Sequence, residues 1–565
     1  MSDSSTEKLF SLTIKCPGSA AAKPNVLFIV VDDLRPSLGC YGGPIISPNI
    51  DQLARQSAVF TNAMAQQAVC APSRVSFLTS RRPDTTRLYD FGSYWRTHAG
   101  NYTTLPQHFK DNGYITLSVG KVFQGGAPGG KTLDYPYSWS LPPYESSTNA
   151  YNKAKVCPGL DGKLYNNVMC PVNVTEMPGK SLPDIQSLET AENLLKIYRP
   201  GKTWPFFLAV GFRKPHIPWK YPKEFRALYP LDSIEIAPNP NIPEKLPSVA
   251  WENYYQLRMR DDIKALNLSF PYGTIPLKYH ALMRRGYYAA ASYTDYLVGR
   301  LLQALEETGH ANNTIISLVG DHGWFLGEHG EWCKCSNYEL ATKVPLLVHV
   351  PNVTDSRRSS SPKFPLIDVR QSVRDFRRQH TRKRTVATVM EGGERFATQR
   401  NGLQIKEMVE LVDLFPTLTE LTRLPAPPIC PDKSFNITLC TEGVSFAPLI
   451  KPTKRFVRWK NATFSQYPRP GVEPVRHTDL PALDKITIMG YSMRTRDYHY
   501  TEWIGFNHTT FERDWSDVKA RELYLNEKDP EQNDNVADDA GSEALVKVLS
   551  QQLRRGWRDC LPVHK

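Results

Sequence analysis

The chain has 565 residues, of which 41% are hydrophobic, and a formal net charge of +12. This length exceeds what one compact core supports, so we expect two or three subdomains built on a sizeable core. No run approaches the ~18 apolar residues that a membrane span needs, so the sequence predicts no membrane-spanning helix.

The predicted elements alternate between strands and helices. Continuous apolar runs such as residues 26–31 are typical of strands buried on both faces of a parallel sheet. The alternation predicts an α/β fold with a large, mostly parallel central sheet. The predicted strands cover residues 26–31, 115–119, 206–210, 314–319 and 345–350, and the predicted helices begin at Ser47-Pro48 or cover residues 105–112, 281–307 and 407–421.

The pattern changes after the proline-rich segment 425–431. Residues 485–495 and 498–504 predict a β-hairpin, and residues 542–553 predict a closing helix. We therefore expect a small α+β C-terminal subdomain over residues 455–565, and a disordered N-terminus over residues 1–24.

The positive charge is concentrated in residues 351–400, which hold twelve Lys or Arg and five Asp or Glu. The segment has few large apolar residues, so it predicts a disordered basic insertion. It lacks interleaved aromatic residues and any nucleic-acid-binding motif, so we expect no nucleic-acid partner. An attraction for polyanionic glycans and a proteolytic cleavage site are both open interpretations.

Acidic residues follow two of the predicted strands. Asp32-Asp33 come directly after residues 26–31, and Asp321-His322 follow residues 314–319 and one glycine. Ligands bind outside the carboxyl ends of parallel strands, so these side chains are expected to converge. Adjacent carboxylates raise each other's pKa unless a cation neutralises them, and carboxylate oxygens suit Ca²⁺ or Mg²⁺. The sequence therefore predicts a divalent-cation site.

The run Cys70-Ala71-Pro72-Ser73-Arg74 precedes the apolar residues Val75, Phe77 and Leu78. Pro72 fits the first turn of a helix, because its missing N–H would have no intrahelical partner there. Unpaired N–H groups at a helix N-terminus favour negative charge. Cys70 is therefore either a buried structural cysteine or a cysteine held beside an anion-binding helix end.

The same run, with Thr79, resembles the sulfatase signature C-x-P-S-R-x-x-x-x-T-G, except that Ser80 replaces the final glycine. Residues 30–37, 81–90, 214–218 and 465–470 also match, so the resemblance covers nearly the whole chain. It is strongest to those formylglycine-dependent sulfatases that remove the 2-O-sulfate of iduronate in dermatan sulfate and heparan sulfate. This resemblance implies an alkaline-phosphatase-like sulfatase fold with a catalytic domain over residues 25–450.

The resemblance also implies the cofactors. In the family the cysteine, here Cys70, is oxidised to formylglycine, so a formylglycine-generating enzyme is an expected partner during maturation. One Ca²⁺ is expected to bind residue 70 together with Asp32, Asp33, Asp321 and His322. Because imidazole is an unusual ligand for so hard an ion, a hydrogen bond to a ligand or to substrate is the alternative role for His322.

The implied catalytic groups surround a sulfate monoester, whose negative charge must be neutralised for attack. A hydrated formylglycine is a gem-diol: one hydroxyl takes the sulfate, and the second lets the intermediate collapse to aldehyde and free sulfate. By motif, Arg74 and Lys121 face the sulfate, and His216 and Lys334 contact the ester oxygen and protonate the leaving group.

Three positions bear on turnover and specificity. Gln124 stands where the similar enzymes have a histidine that assists release of the sulfate, and an amide cannot take up that proton. Tyr89 and Trp324 are expected to form walls of the sugar pocket, where Gln124 also contacts substrate, although Trp324 could equally be a core residue.

Competing functions remain at this point. A phosphatase or phosphodiesterase of the same superfamily would have Ser or Thr at position 70. A catalytically weakened or inactive homologue that binds sulfated glycans is favoured by Gln124, Ser80 and the basic insertion. Cys333 and Cys335, near Asp321-His322, could also form a soft-metal site, but the matching motif already assigns those two residues another role.

Cysteines and sequons indicate the compartment. The spacings of Cys157 with Cys170 and of Cys430 with Cys440 are typical of local disulfides, and the similar sulfatases have cysteines at both pairs. Residues 1–24 lack the apolar core of a secretory signal. We expect a lysosomal glycoprotein whose signal is missing from this version of the sequence, with a cytosolic protein containing free thiols as the alternative. Eight N-x-[ST] sequons occur, at Asn101, Asn173, Asn267, Asn312, Asn352, Asn436, Asn461 and Asn507.

Overall fold

The computed structural model describes residues 23–159, 161–198, 204–355, 363–371, 402–451 and 458–562. The predicted disordered N-terminus lies outside the described residues except for its last two, and so does most of the basic insertion. Both of these expectations therefore stay predictions.

The strands and helices confirm the expected alternation. The strands are β1 (Asn25–Val31), β2 (Ala58–Met64), β3 (Ile115–Gly120), β4 (Cys157–Pro158), β5 (Leu164–Tyr165), β6 (Met169–Val172), β7 (Phe206–Phe212), β8 (Trp219–Pro222), β9 (Thr314–Gly320), β10 (Lys343–His349), β11 (Leu403–Glu410), β12 (Ala462–Arg469), β13 (Ile488–Thr495), β14 (Tyr498–Asn507) and β15 (Glu512–Leu525). The helices are α1 (Pro48–Ala54), α2 (Cys70–Thr79), α3 (Pro83–Thr86), α4 (Trp95–His98), α5 (Leu105–Asp111), α6 (Pro183–Ile197), α7 (Tyr255–Arg258), α8 (Asp261–Lys264), α9 (His280–Glu307), α10 (Glu339–Thr342), α11 (Leu414–Leu421), α12 (Ala447–Ile450) and α13 (Glu543–Arg555).

Within the described residues, seven strands form the central sheet in the order β11-β2-β10-β9-β1-β7-β3. β10 runs antiparallel to both of its neighbours, and the other neighbouring pairs are parallel. Successive side chains of β1 point into two different cores: Leu27 packs on one face of the sheet and Phe28 on the other. This burial on both faces explains the continuous apolar run. The predicted mostly parallel sheet is confirmed.

Helices cover both faces of this sheet. The long helix α9 packs with the core that contains Leu27, through residues such as Met283 and Leu301. Helices α2, α5 and α11 contribute Phe77, Phe109 and Leu418 to the opposite core. Strand β1 and helix α2 are thus held in place by packing along their whole lengths.

The predicted helix over residues 407–421 is wrong in its first part. Residues 403–410 form β11, which pairs in parallel with β2 along the edge of the sheet, and the helix begins only at Leu414. Pairing with β2 satisfies the backbone hydrogen bonds there, while the irregularity between Ile405 and Met408 hides the strand's two-residue period. The apolar residues of this bulged strand therefore recur at a spacing that resembles the period of a helix.

The C-terminal part confirms the predicted hairpin and closing helix. β12, β13, β14 and β15 form an antiparallel sheet, and α13 packs on it through Leu549 and Leu553. Disulfides join Cys157 to Cys170 and Cys430 to Cys440, as predicted. Within the described part of the chain, no helix has the length and apolar character needed to cross a membrane.

A buried ionic cluster ties the C-terminal sheet to the central one. Both oxygens of Glu410, at the end of β11, accept hydrogen bonds from the Arg82 guanidinium, at 2.7 and 2.8 Å. The Lys460 ammonium lies 2.8 Å from Glu410 and 2.5 Å from Asp413, and the Phe464 N–H donates to Glu410 at 2.9 Å. Glu410 thus joins the segment after α2, the edge of the central sheet and the first C-terminal strand.

Glu410→Gln is expected to lower the free energy of unfolding by about 3 kcal/mol, because it removes the counter-charge of the buried Arg82 and leaves Lys460 with Asp413 as its acidic partner. Urea unfolding followed by tryptophan fluorescence measures the loss. Glu407→Gln, at an exposed position of the same strand, is the matched control and should change stability by less than about 0.5 kcal/mol.

The pH dependence gives a second check. Burial alone raises the pKa of Glu410, but the charges of Arg82 and Lys460 outweigh it and lower that pKa to about 2. The carboxylate's contribution is therefore complete above its ordinary pKa near 4.5 and is lost as the pH falls toward 2. The stability difference between wild type and Glu410→Gln should narrow over that range. A difference that stays constant would contradict the assignment.

Candidate active site

Two parallel strands bring the predicted acids together. β1 and β9 pair with Val31 opposite Gly320, so Asp32-Asp33 and Asp321-His322 leave the same edge of the sheet side by side. The Asp33 N–H donates to the Asp321 carboxylate at 3.1 Å, and the Asp321 N–H donates to the Val31 carbonyl at 3.2 Å. The convergence expected from the strand ends is present.

Cys70 is the first residue of α2, and Pro72 lies in the first turn of that helix, as predicted. Its Sγ lies 3.3 Å from Asp32 Oδ1, 3.4 Å from His322 Nε2 and 3.1 Å from the Lys334 ammonium. Burial raises the pKa of the Cys70 thiol to about 12, and the charge of Asp32 adds to the rise. The side chain is therefore a neutral thiol, which is a weak nucleophile by itself.

The helix that carries Cys70 ends at Ser80, which departs from the glycine of the signature. Ser80 adopts the left-handed conformation, with φ 52°, in which glycine is unstrained. Its hydroxyl donates to the Val412 carbonyl at 2.6 Å and its own carbonyl accepts from the Glu442 N–H. These two hydrogen bonds explain how a serine is accommodated.

Three buried cations face the three buried acids. Arg74 donates to Asp321 at 2.8 Å and to Asp32 at 3.3 Å, and so bridges the two strand ends. The Lys121 ammonium contacts the Asp32 carboxylate. The Lys334 ammonium donates to Asp33 Oδ1 at 2.5 Å. The charges of these six side chains balance, which offsets the cost of burying them.

The donor set fits a metal ion. One ligand atom from each of Asp32, Asp33, Cys70 and His322 lies within 4.8 Å of the other three. His322 Nδ1 lies 3.0 Å from the Gly323 carbonyl, which fixes the proton there and leaves a lone pair on Nε2. That lone pair faces Asp33 Oδ1 at 3.4 Å, and Asp33 Oδ2 has no hydrogen-bond partner among the described residues. Electron pairs facing one another in this way are stabilised by a cation.

Asp321 also belongs to the site, with its Oδ1 3.5 Å from His322 Nε2, although it is not one of the four residues whose ligand atoms all lie within 4.8 Å of one another. Its carboxylate accepts from Arg74 and from the N–H groups of Asp33 and His322. Burial raises the pKa of Asp33 to about 7, and the charges of Asp32 and Asp321 oppose the lowering effect of Lys334. Asp33 is thus the carboxylate that gains most from a bound cation.

His216 approaches the same site from the loop after β7. Its Nδ1 lies 2.6 Å from the Ile217 carbonyl, so the proton resides there and Nε2 remains an acceptor. Burial lowers the pKa of His216 well below its usual value, although Asp32 opposes the shift. His216 is therefore neutral, whereas Lys334 is held in its charged form by Asp33.

Asp184, on α6, positions this loop and was missed by the sequence reasoning. Its two carboxylate oxygens accept the N–H groups of Arg213 at 2.8 Å and Lys214 at 2.9 Å. Tyr287, on α9, was missed in the same way, and its hydroxyl donates to the Asp33 carbonyl at 2.6 Å. Neither belongs to a motif, because each acts through backbone groups that lie far away along the chain.

The three expected substrate contacts lie in different surroundings. The Trp324 ring lies 5.5 Å from the Lys334 ammonium and is fully buried, so it borders the site as a packing surface for that lysine. Gln124 is partly buried, and its Oε1 has no hydrogen-bond partner among the described residues. Tyr89 is directed elsewhere: its ring packs on Phe506 and Phe511, and its hydroxyl donates to Asp84.

Residues 24–377 match the family model described as Sulfatase. The chain belongs to the sulfatase family.

Among the sulfatases, the chain is 49% identical over 538 residues to "Iduronate 2-sulfatase" of Homo sapiens, which covers 93% of each protein. It also shares its fold with two solved structures. A protein solved "in complex with its substrate D-Glucosamine-2-N, 6-O-disulfate" superposes with a TM-score of 0.60 at 19% identity, covering 94% of this chain and 97% of that one. The phosphonate monoester hydrolase of Agrobacterium radiobacter gives 0.62 at 18% identity, covering 94% and 95%.

Asp184→Asn is expected to lower kcat for an aryl sulfate ten- to a hundredfold, corresponding to about 1–3 kcal/mol, and to leave KM nearly unchanged. An amide offers one acceptor oxygen where two N–H groups need one each, so the loop that carries His216 shifts. Steady-state kinetics measure the effect. Glu189→Gln, exposed on the same helix, is the control and should behave as wild type. Equal activity of the two variants would remove the positioning role from Asp184.

Proposed function

We propose that this sulfatase removes the 2-O-sulfate of terminal iduronate in dermatan sulfate and heparan sulfate, with a formylglycine made from Cys70. The observation that carries the proposal is the 49% identity, over 93% of both chains, to a protein named for this activity. The buried site supports it, because Cys70 contacts Asp32, His322 and Lys334 at the start of the signature helix.

One Ca²⁺ is the metal we propose, held by residue 70 with Asp32, Asp33, Asp321 and His322. The oxygen-rich donor set favours a hard cation, and the irregular arrangement suits Ca²⁺ better than Mg²⁺. When bound, the cation neutralises sulfate charge and lowers the energy of negative charge that develops during attack. Asp33 Oδ2 is buried and has no hydrogen-bond partner among the described residues, so a bound cation would stabilise this atom most.

The proposed roles of the chain's own groups follow from their partners. Arg74 donates hydrogen bonds to both Asp32 and Asp321, so we assign it to holding these two acids in position during the reaction. Lys121 and Lys334 are positive, buried and close to Cys70 or its neighbour Asp32, and we assign them to the sulfate oxygens. These charges favour the transition state, in which negative charge spreads from sulfur toward the departing sugar oxygen.

The proton for the departing sugar oxygen comes from Lys334 in this proposal. Lys334 is the charged group of the pair, while His216 is neutral with its Nε2 free to accept a hydrogen bond. His216 Nε2 then accepts a hydrogen bond from the sugar hydroxyl that Lys334 has protonated, which holds the leaving group in place. A hydrated formylglycine at residue 70 would supply the attacking hydroxyl and, through its second hydroxyl, a means of releasing sulfate.

A second candidate function rests on Gln124. The amide cannot accept the proton that a histidine at this position accepts in similar sulfatases. Its unpartnered Oε1 still offers an acceptor for a sugar hydroxyl. A homologue that binds sulfated glycans and turns over slowly or not at all is the alternative.

We further propose a lysosomal glycoprotein that is modified by the formylglycine-generating enzyme during its passage through the secretory pathway. Two disulfides support an oxidising compartment. Seven of the eight sequon asparagines are exposed and Asn173 is partly so, which makes glycan attachment sterically possible. The sulfated glycosaminoglycan is the substrate partner, and no nucleic-acid partner is proposed.

The function is tested on the protein secreted from a cell that contains the modifying enzyme. Residue 70 should carry an aldehyde by peptide mass analysis, and the protein should release sulfate from a disaccharide with a terminal 2-O-sulfated iduronate. Asp32→Asn combined with Asp33→Asn should abolish sulfate release and Ca²⁺ binding, because it removes two charged ligands.

The control substrate is the same disaccharide with its sulfate on the 6-position of glucosamine, which should not be hydrolysed. An unmodified thiol at residue 70 together with retained glycan binding would favour the binding function. Sulfate release by the double variant at the wild-type rate would contradict the metal assignment.

Gln124→His is expected to raise the steady-state rate by roughly a hundredfold, since it restores a proton acceptor to the sulfate-release step. In wild type the residue-70 peptide should gain the mass of one sulfate on mixing with substrate. Gln124→Asn is the matched control and should give no increase. Fast wild-type turnover without a sulfated peptide would contradict the assignment of slow release to Gln124.

A further inference from the structure

Two free cysteines flank the catalytic lysine. Cys333 and Cys335 are fully buried, and their backbones are fixed by hydrogen bonds: the Cys333 carbonyl accepts from Phe325 N–H at 2.7 Å, and the Cys335 N–H donates to the Ala68 carbonyl at 3.2 Å. One open interpretation of the sequence placed the two thiols in a site with Asp321-His322. In the structure they instead share a site with the Glu252 carboxylate. The two sulfurs and one Glu252 oxygen all lie within 4.8 Å of one another.

More acidic than basic side chains surround these two thiols. Glu252 is 1% exposed, and its Oε1 accepts from the Tyr254 N–H at 2.6 Å, while its Oε2 has no hydrogen-bond partner among the described residues. Glu331 is also buried, and its Oε2 likewise has no hydrogen-bond partner in the part of the chain that the structure describes. Burial raises the pKa of Glu252 well above its usual value, and the charges of Asp479, Cys335 and Glu331 raise it further.

One nearby cation partly balances these acids. The Arg469 guanidinium donates to the Cys335 carbonyl at 2.9 Å. Burial raises the pKa of Glu331 well above its usual value, and the charge of Arg469 opposes that rise only in part. Its other hydrogen bonds go to backbone carbonyls of the segment before Glu252. A buried carboxylate with an unpaired oxygen next to two thiols is costly unless a proton or a metal ion occupies the space between them.

We propose that Cys333, Cys335 and Glu252 form a second metal site, which binds a thiophilic divalent cation of the Zn²⁺ class. Two thiolates and a carboxylate are typical zinc ligands, and the fourth position is open to water or to the Asp479 carboxylate. Ligand atoms around one tetrahedral zinc lie about 3.5 Å apart. The three donors lie within 4.8 Å of one another, so they need to approach by at most roughly 1.3 Å. Binding releases the thiol protons to solvent.

The donor chemistry separates this site from the oxygen-rich one at Asp32 and Asp33. Sulfur ligands select Zn²⁺ over Ca²⁺, whereas carboxylates select Ca²⁺. A cation bound to Cys333 and Cys335 holds the residue between them from both sides. Lys334 is that residue, and its ammonium donates to Asp33 and contacts Cys70. The second site therefore acts on catalysis by positioning Lys334.

The test uses the full-length chain with Cys70→Ser, so that no signal arises from a thiolate at residue 70. Zn²⁺ should bind with a stoichiometry of about one per chain after gel filtration, measured by elemental analysis. Co²⁺ added to the metal-free protein should give a sulfur-to-cobalt charge-transfer band in the near ultraviolet. Adding Cys333→Ser and Cys335→Ser should remove the band, and adding Glu252→Gln should weaken Zn²⁺ binding by at least roughly tenfold.

Cys560→Ser is the matched control, since it removes a buried thiol of the C-terminal subdomain and should leave the band intact. Circular dichroism checks that each variant is folded, and if the double serine variant is not, Glu252→Gln together with the cobalt spectrum decides. Absence of the band at saturating Co²⁺, or its persistence without Cys333 and Cys335, would overturn the proposal. So would a Cys333–Cys335 peptide two hydrogens lighter than the dithiol, because a disulfide cannot supply thiolate ligands.

Discussion

The parallel pairing of β1 with β9 is the constraint on which the site depends. It sets Asp32 and Asp33 beside Asp321 at one edge of a sheet whose two faces are fully covered. Such a concentration of negative charge cannot stay buried alone. The positive charge of Arg74, on α2, neutralises part of it by donating hydrogen bonds to the acids at both strand ends. These bonds fix where that helix begins.

Fixing the helix start also fixes the nucleophile's position. Cys70 lies at the first helical residue, one turn before Arg74, so any change in how Arg74 meets the acids moves Cys70 as well. Lys334 closes the arrangement from the opposite side, with Asp33 and Cys70 as its partners. The three acids and three cations around Cys70 pair with one another, and the buried thiol among them has a high pKa. The same cations are suited to an anionic substrate. The proposed conversion of Cys70 to an aldehyde would remove the need for a thiolate.

The two departures from the family pattern differ in consequence. Ser80 occupies a left-handed helix cap, and its hydroxyl makes a hydrogen bond that glycine could not, so the change is structural and locally compensated. Gln124 has an oxygen without a hydrogen-bond partner among the described residues, and its amide cannot take up a proton as an imidazole can. In the function proposed above, the release of sulfate is therefore the step that Gln124 affects.

The sequence by itself determined the features that depend on near neighbours. The apolar strands, the acids at their ends, the helix beginning at Cys70 and both disulfides follow from patterns within about fifteen residues or fewer, where local geometry decides. Only the tertiary structure decided which distant groups meet. It turned residues 403–410 into an edge strand on β2, sent Tyr89 into the C-terminal core, and placed Glu252 beside Cys333 and Cys335. Such contacts join residues far apart in the chain, and their energies come from packing and burial that no local pattern records.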